Sequence, residues 1–104
     1  LMLRYANDWR GFLADIAADA GRTALDQWQY QMQARVLERI GVERLWFASD
    51  GIDLATQRRL SVTCLDGDGP AVARAQRAID RYVAAHPGAR IAVVPEGPYA
   101  MLRA

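Results

Sequence analysis

Apolar positions recur along this chain in two rhythms, one helical and one extended. Trp9, Phe12, Leu13, Ile16, Ala17 and Ala20 fall at i, i+3, i+4, i+7, i+8 and i+11. That stripe predicts an amphipathic helix from about Asp8 to Ala20, capped by Asn7 or Asp8 and stopped by Gly21. A second helix is expected over Leu25–Gly41, where Trp28, Met32, Val36 and Ile40 recur every four residues and mark the expected inward seam. Asp26 suits its N-cap, and Gln29 stands where a side chain can reach back to the cap. Leu25 and Tyr30 fit a hydrophobic staple, Gly41 ends the helix, and Val42 can fold back on Leu37.

The rhythm then shortens. Arg44-Leu45-Trp46-Phe47-Ala48-Ser49 is a brief apolar run that predicts a buried strand ended by Asp50-Gly51. A short helix is expected over Asp53–Leu60, and Ser61–Leu65 reads as a short strand or an extended connector. Asp66-Gly67-Asp68-Gly69-Pro70 is a turn. A last helix is predicted over Ala71–Ala85, with Val72, Ala75, Ile79, Tyr82 and Val83 on its inward face. Pro87-Gly88 closes it, and Arg90–Pro95 reads as a second buried strand. Apolar strands separated by helices imply an α/β fold, a small Rossmann-like parallel sheet with flanking helices.

Composition narrows the function classes. The chain has 104 residues, which fits one domain, and is 52% hydrophobic and 24% charged, as in globular proteins. A net charge of +1 argues against nucleic-acid partners and acidic membranes. The nearest approach to a basic stripe, Arg35, Arg39 and Arg44, is interrupted by Glu38 and Glu43. All 13 basic residues are arginine, so no side chain can form a Schiff base or tether a cofactor through lysine. One cysteine, Cys64, excludes an internal disulfide, and a reducing, cytoplasmic setting is expected. No apolar run is long enough for a membrane span. The opening Leu1-Met2-Leu3, running almost at once into helical sequence, reads as the start of a piece cut from a longer polypeptide.

Candidate chemistry is sparse. His86 has no second histidine near it, so no metal site is expected. Cys64 reads as a packed, inert thiol. Asp66 and Asp68 resemble the start of a calcium loop, which the following Gly-Pro breaks. Ser49-Asp50-Gly51 and Glu96-Gly97-Pro98 follow expected strands, where ligands gather in parallel folds, but their glycine spacing is wrong for a phosphate loop and they read as turns. Trp28 admits two readings. It is either a core residue on the seam with Met32 and Val36, or a pocket wall beside the free amides of a helix start, which suit a carboxylate. Gln27 and Gln31, four apart beside it, either face solvent or bind a hydroxyl or carboxylate.

The order of these pieces resembles the C-terminal end of the nickel-dependent lactate racemase family. Asp26-Gln27-Trp28 opens a helix carrying Ala34-Arg35-Val36-Leu37. A strand ending Phe47-Ala48-Ser49-Asp50 follows, then an alanine-rich helix and Ala89–Pro98, ending Val93-Val94-Pro95-Glu96-Gly97-Pro98. The resemblance covers about Tyr5 to Pro98. It implies a two-domain enzyme in which a nickel pincer nucleotide, tethered to a lysine and ligated by a histidine, exchanges hydride with a 2-hydroxy acid while two further histidines act as acid and base. Those motifs lie upstream of the matched region, and this chain has no lysine and one histidine.

The implied reading is a single C-terminal domain, residues 1–104, without catalytic residues, cofactor or metal of its own. Its partner is the N-terminal domain, and it forms one wall of a pocket for a small 2-hydroxy acid, with Trp28, Gln27 and Gln31 as the substrate-binding residues. Exposed apolar surface is then expected near Trp28 or along the first helix. Pairing of that face with a second copy, as a homo-oligomer, stays open. The alternative function is a non-catalytic, stand-alone α/β binding or interaction domain.

Overall fold

The computed structural model describes residues 1–19, 21 and 27–95. The expected cap Asp26 and staple residue Leu25 lie outside the described residues, as do Ala20 and Glu96-Gly97-Pro98. Among the described residues the chain forms α1 (Met2–Tyr5), α2 (Trp9–Ala18), α3 (Gln27–Ile40), a 3-10 turn (Val42–Arg44), β1 (Trp46–Phe47), α4 (Leu54–Gln57), β2 (Thr63–Cys64) and α5 (Ala71–Ala85). The result is a mainly helical chain with a small parallel sheet, compatible with an α/β fold.

The core lies among the first three helices. α2 starts where expected, because the Asp8 carboxylate accepts from the Gly11 N–H at 2.9 Å. Trp9, Phe12 and Leu13 from α2 are buried with Tyr30, Ala34 and Leu37 from α3, and Met2, Tyr5, Ile16, Val42 and Leu45 pack around them. The Phe12 and Tyr30 rings stack with centroids 4.4 Å apart, and Tyr5 meets Phe12 edge-on at 5.2 Å. Such aromatic pairs add to the area they bury. Gly41 ends α3 with φ of 78°. A side chain there would be strained and would collide with the Glu43 carboxylate.

The face that α3 buries differs from the expected seam. Trp28 and Met32 are 62% and 61% exposed, and Val36 is exposed as well. The inward face is Tyr30, Ala34 and Leu37, at i, i+4 and i+7. Both stripes are helical, so periodicity alone cannot choose between them. The choice is made by fit: Ala34, with no solvent exposure, presents little bulk on the face that packs against α2 and α1.

The sheet is parallel, as expected, but smaller and differently built. β1 pairs with β2, Trp46 opposite Thr63 and Phe47 opposite Cys64. Within the ambiguous Ser61–Leu65 segment only Thr63–Cys64 is a strand, and Ser61, with φ of 56°, belongs to the loop before it. The Arg90–Pro95 segment, expected as a buried strand, forms no ladder, and Ile91, Val93 and Val94 are exposed. With one edge of β1 open, Trp46 is also exposed rather than buried. α4 spans half the expected length; its start is the expected one, fixed by the Asp53 cap, whose carboxylate accepts from the Thr56 N–H and hydroxyl. α5 has the expected bounds, yet Val72, Ile79, Tyr82 and Val83 on its expected inward face are exposed. Its buried residues are Arg74 and Ala78.

Candidate functional site

The three substrate-binding candidates stand on the first turns of α3. Gln27 is half-buried and lines an open cleft of about 790 Å³ between α1, α2 and the start of α3. Arg4, Tyr5 and Asp15 line the same cleft. The Tyr5 hydroxyl donates to the Asp15 carboxylate at 2.6 Å. That bond, with smaller help from desolvation and from the Asp15 charge, raises the Tyr5 pKa above its ordinary value, so the phenol keeps its proton. Gln31 is half-buried and Trp28 exposed, and neither lines this cleft. Trp28 instead begins a solvent-facing apolar stripe with Met32 and Val36, flanked by the Arg35–Glu38 ion pair at 3.0 Å. The structure thus places a cleft holding one cation, Arg4, and two carboxylates, Asp15 and Asp19, on one side of the α3 start and an indole wall on another.

The C-terminal ends of the parallel strands, the usual ligand position in such sheets, are filled by side chains of the chain itself. Arg74 donates to the Ser49 carbonyl and to the Leu65 carbonyl, each at 3.0 Å, and lies 3.5 Å from the Asp50 carboxylate. Asp50 also accepts from the Ala71 N–H at 2.8 Å, which fixes the start of α5. Gln57, 1% exposed, donates to the Ser49 and Ile52 carbonyls and accepts from the Cys64 thiol at 3.3 Å. Ser49-Asp50-Gly51 is therefore committed to structure, with the Ser49 hydroxyl accepting from the Gly51 N–H at 3.1 Å.

A second buried polar cluster ties the loop after α4 to the helical core. Ser61, 1% exposed, donates its hydroxyl to the Ala6 carbonyl at 3.0 Å, and its N–H goes to the Asn7 side chain at 3.0 Å. Tyr30 lies 3.4 Å from the Ser61 hydroxyl, and Gln33 donates to the Leu60 carbonyl at 2.7 Å. Ser61 and Ala6 both adopt positive φ, 56° and 49°. This cluster explains part of the amide-rich opening of α3: Gln33 holds a loop rather than facing solvent.

Sequence reasoning missed Arg74, Gln57 and Ser61. Only Arg74 carried a signal, a charged residue set among Ala71, Ala75 and Ala78, whose small side chains let the helix approach the strand ends. The other candidates fall into structural roles. His86 stacks on Tyr82 at 4.1 Å, with Nδ1 at 2.9 Å from the Tyr82 carbonyl. Asp66 lies 3.5 Å from Arg58, and Asp68 accepts from Arg77 through its backbone. Among the described residues no group of His, Cys, Asp and Glu could hold a metal ion, and no helix is long and apolar enough to cross a membrane. No protein-family model, curated protein or solved structure matches the chain.

Proposed function

We propose that this chain is the C-terminal domain of a lactate racemase-like 2-hydroxy-acid racemase or epimerase, a small Rossmann-like unit within a larger two-domain protein. In this reading it is inactive alone and supplies one wall of an interdomain substrate pocket. The observation that carries the reading is the stripe of Trp28, Met32 and Val36, open to solvent on a helix whose other face is buried. Three large apolar residues along one exposed helix face fit a surface meant for another part of the same polypeptide. The resemblance at Asp26-Gln27-Trp28 supports the same reading, and in the cleft at Gln27 the Arg4 guanidinium is the group that would take a hydroxy acid's carboxylate, beside the anionic Asp15 and Asp19.

The residues present do not fit a nickel pincer nucleotide. The chain has no lysine to tether one, and its single histidine, His86, is stacked on Tyr82 with Nδ1 on a backbone carbonyl. Cofactor and acid–base chemistry belong to the parent's other domain in this reading.

Trp28→Ala tests it. In residues 1–104 the substitution should leave stability within about 0.5 kcal/mol, because the side chain is exposed there, and in the parent polypeptide it should lower turnover of 2-hydroxy acids on the order of tenfold. Unchanged turnover across a panel of 2-hydroxy acids would remove Trp28 from the pocket. A parent that turns over none of them would favour the interaction-domain alternative.

A further inference from the structure

We infer that Ile91–Val94 closes onto the open edge of β1 as a third parallel strand, giving the order β2-β1-β3 and filling the groove between β1 and α5. The open edge follows from the hydrogen bonds. Thr63 donates to the Leu45 carbonyl and Leu65 to the Phe47 carbonyl, each at 2.8 Å. In a parallel ladder the backbone groups of alternate residues point to opposite edges. Leu45 and Phe47 therefore serve β2, while Trp46 and Ala48 point their N–H and carbonyl groups away from it and make no backbone bond among the described residues.

The groove beside that edge has the shape of a strand track. Its first part, about 590 Å³, is lined by Trp46, Ile79, Tyr82, His86 and Ile91. The second part, about 380 Å³, shares Trp46 and Ile79 and continues past Ala48, Ala71, Val72 and Ala75. The two parts run from the end of α5 back to its start, and from the start of β1 to its end. A chain that enters at Ile91 and follows the groove travels parallel to β1.

The occupant is already at the entrance. The Ile91 side chain lines the first part, and Ile91-Ala92-Val93-Val94 is rich in the β-branched residues that suit strands. Its backbone makes no hydrogen bond among the described residues, and Val93 is 80% exposed. The turn that reverses the chain is formed: Gly88 has φ of 84° with open space around it, and the Ala89 N–H reaches the His86 carbonyl at 3.1 Å. A strand that returns after a helix antiparallel to β1 completes a β-α-β unit, which short connections favour over pairing elsewhere. Closure covers Trp46 and the apolar face of α5, and leaves the Trp28–Met32–Val36 stripe open. The inference stands whether or not the parent is a racemase.

Residue-resolved amide hydrogen exchange across a range of concentrations of the chain tests it. A strand paired on one edge protects every second amide. Two alternate amides among Ile91–Val94 should be slowed by about tenfold or more relative to their neighbours, together with the amide of Ala48, at every concentration. Fast exchange at all four residues overturns the inference. So does alternation that grows with concentration alongside a doubled mass, which would assign the groove to the Ile91–Val94 segment of a second copy. Val93→Asp, which sets a charge on the closed strand, should restore fast exchange at both protected positions while leaving amides in α2 and α3 slow.

Discussion

The guanidinium of Arg74 donates to the Ser49 carbonyl at 3.0 Å and, in the same plane of donors, to the Leu65 carbonyl at 3.0 Å. One side chain thus ties α5 to the C-terminal ends of both parallel strands. Arginine suits the place because its fork presents several donors in fixed directions, which an ammonium cannot match. Arg74→Lys should therefore lose about 1.5–3 kcal/mol in urea unfolding, the range for hydrogen bonds to a charged group. Asp50→Ala should cost less, about 1 kcal/mol, because it removes a helix-capping acceptor whose ion pair is exposed on one side. A larger loss for Asp50→Ala than for Arg74→Lys, which keeps the positive charge, would mean that the Arg74–Asp50 charge pair, not the carbonyl tie, holds the helix.

The core makes a sharper contrast. Phe12, 1% exposed and stacked on Tyr30, should lose about 3–5 kcal/mol on truncation to alanine. Val36, on the outer stripe of α3, should lose no more than about 0.5 kcal/mol when replaced by alanine. Chemical denaturation of the two variants checks this. A Val36→Ala loss near that of Phe12→Ala would place the buried face of α3 on the Trp28 seam after all.

Ser61 carries two opposed effects. Its φ of 56° favours glycine, and its hydroxyl holds the Ala6 carbonyl. Ser61→Ala loses the bond and keeps the strain, while Ser61→Gly loses the bond and relieves it. The alanine variant should therefore be less stable than the glycine variant by about 1 kcal/mol. Thermal melts that rank them in reverse would show that the positive φ is not strained.

Two ionisable groups set pH dependence of opposite sign. Asp53, which caps α4, has its pKa lowered from 3.8, first by the Thr56 N–H and then by the Thr56 hydroxyl. Its contribution is complete above that ordinary value and is lost as pH falls through the lowered one. Tyr5, with its pKa raised from 10.0 by Asp15, contributes fully below the ordinary value and loses that contribution as pH rises through the raised one. The stability gap between the parent chain and Asp53→Asn should shrink in acid, and the gap to Tyr5→Phe should shrink in alkali. A gap constant across either range would mean that the named hydrogen bond does not form.

Helix positions were legible in the sequence and helix faces were not. The stripe at Trp9, Phe12 and Leu13 identified both α2 and its buried side, because only one apolar face exists there. α3 has two, and the choice between them rests on how Ala34 and Leu37 meet α2, a tertiary fact. Strand identity was legible for Trp46–Phe47, but the partner was not: Thr63–Cys64 is too short and too polar to outrank Ile91–Val94 on hydrophobicity. The polar residues that organise the sheet ends, Arg74 and Gln57, left little trace, because one long side chain reaching a distant carbonyl has no period. Of the candidate site, the position of Trp28, Gln27 and Gln31 at the head of α3 was legible, and the cleft that Gln27 shares with Tyr5 and Asp15 was not.

The proposed function requires a nickel-cofactor racemase that contains this chain. Elemental analysis of the longest polypeptide that contains these residues, produced alongside the enzymes that make the pincer nucleotide, tests this without a choice of substrate. Near-stoichiometric nickel is expected in that longer polypeptide and none in residues 1–104 alone. A well-folded longer polypeptide without nickel would contradict the proposed function and favour the interaction-domain alternative.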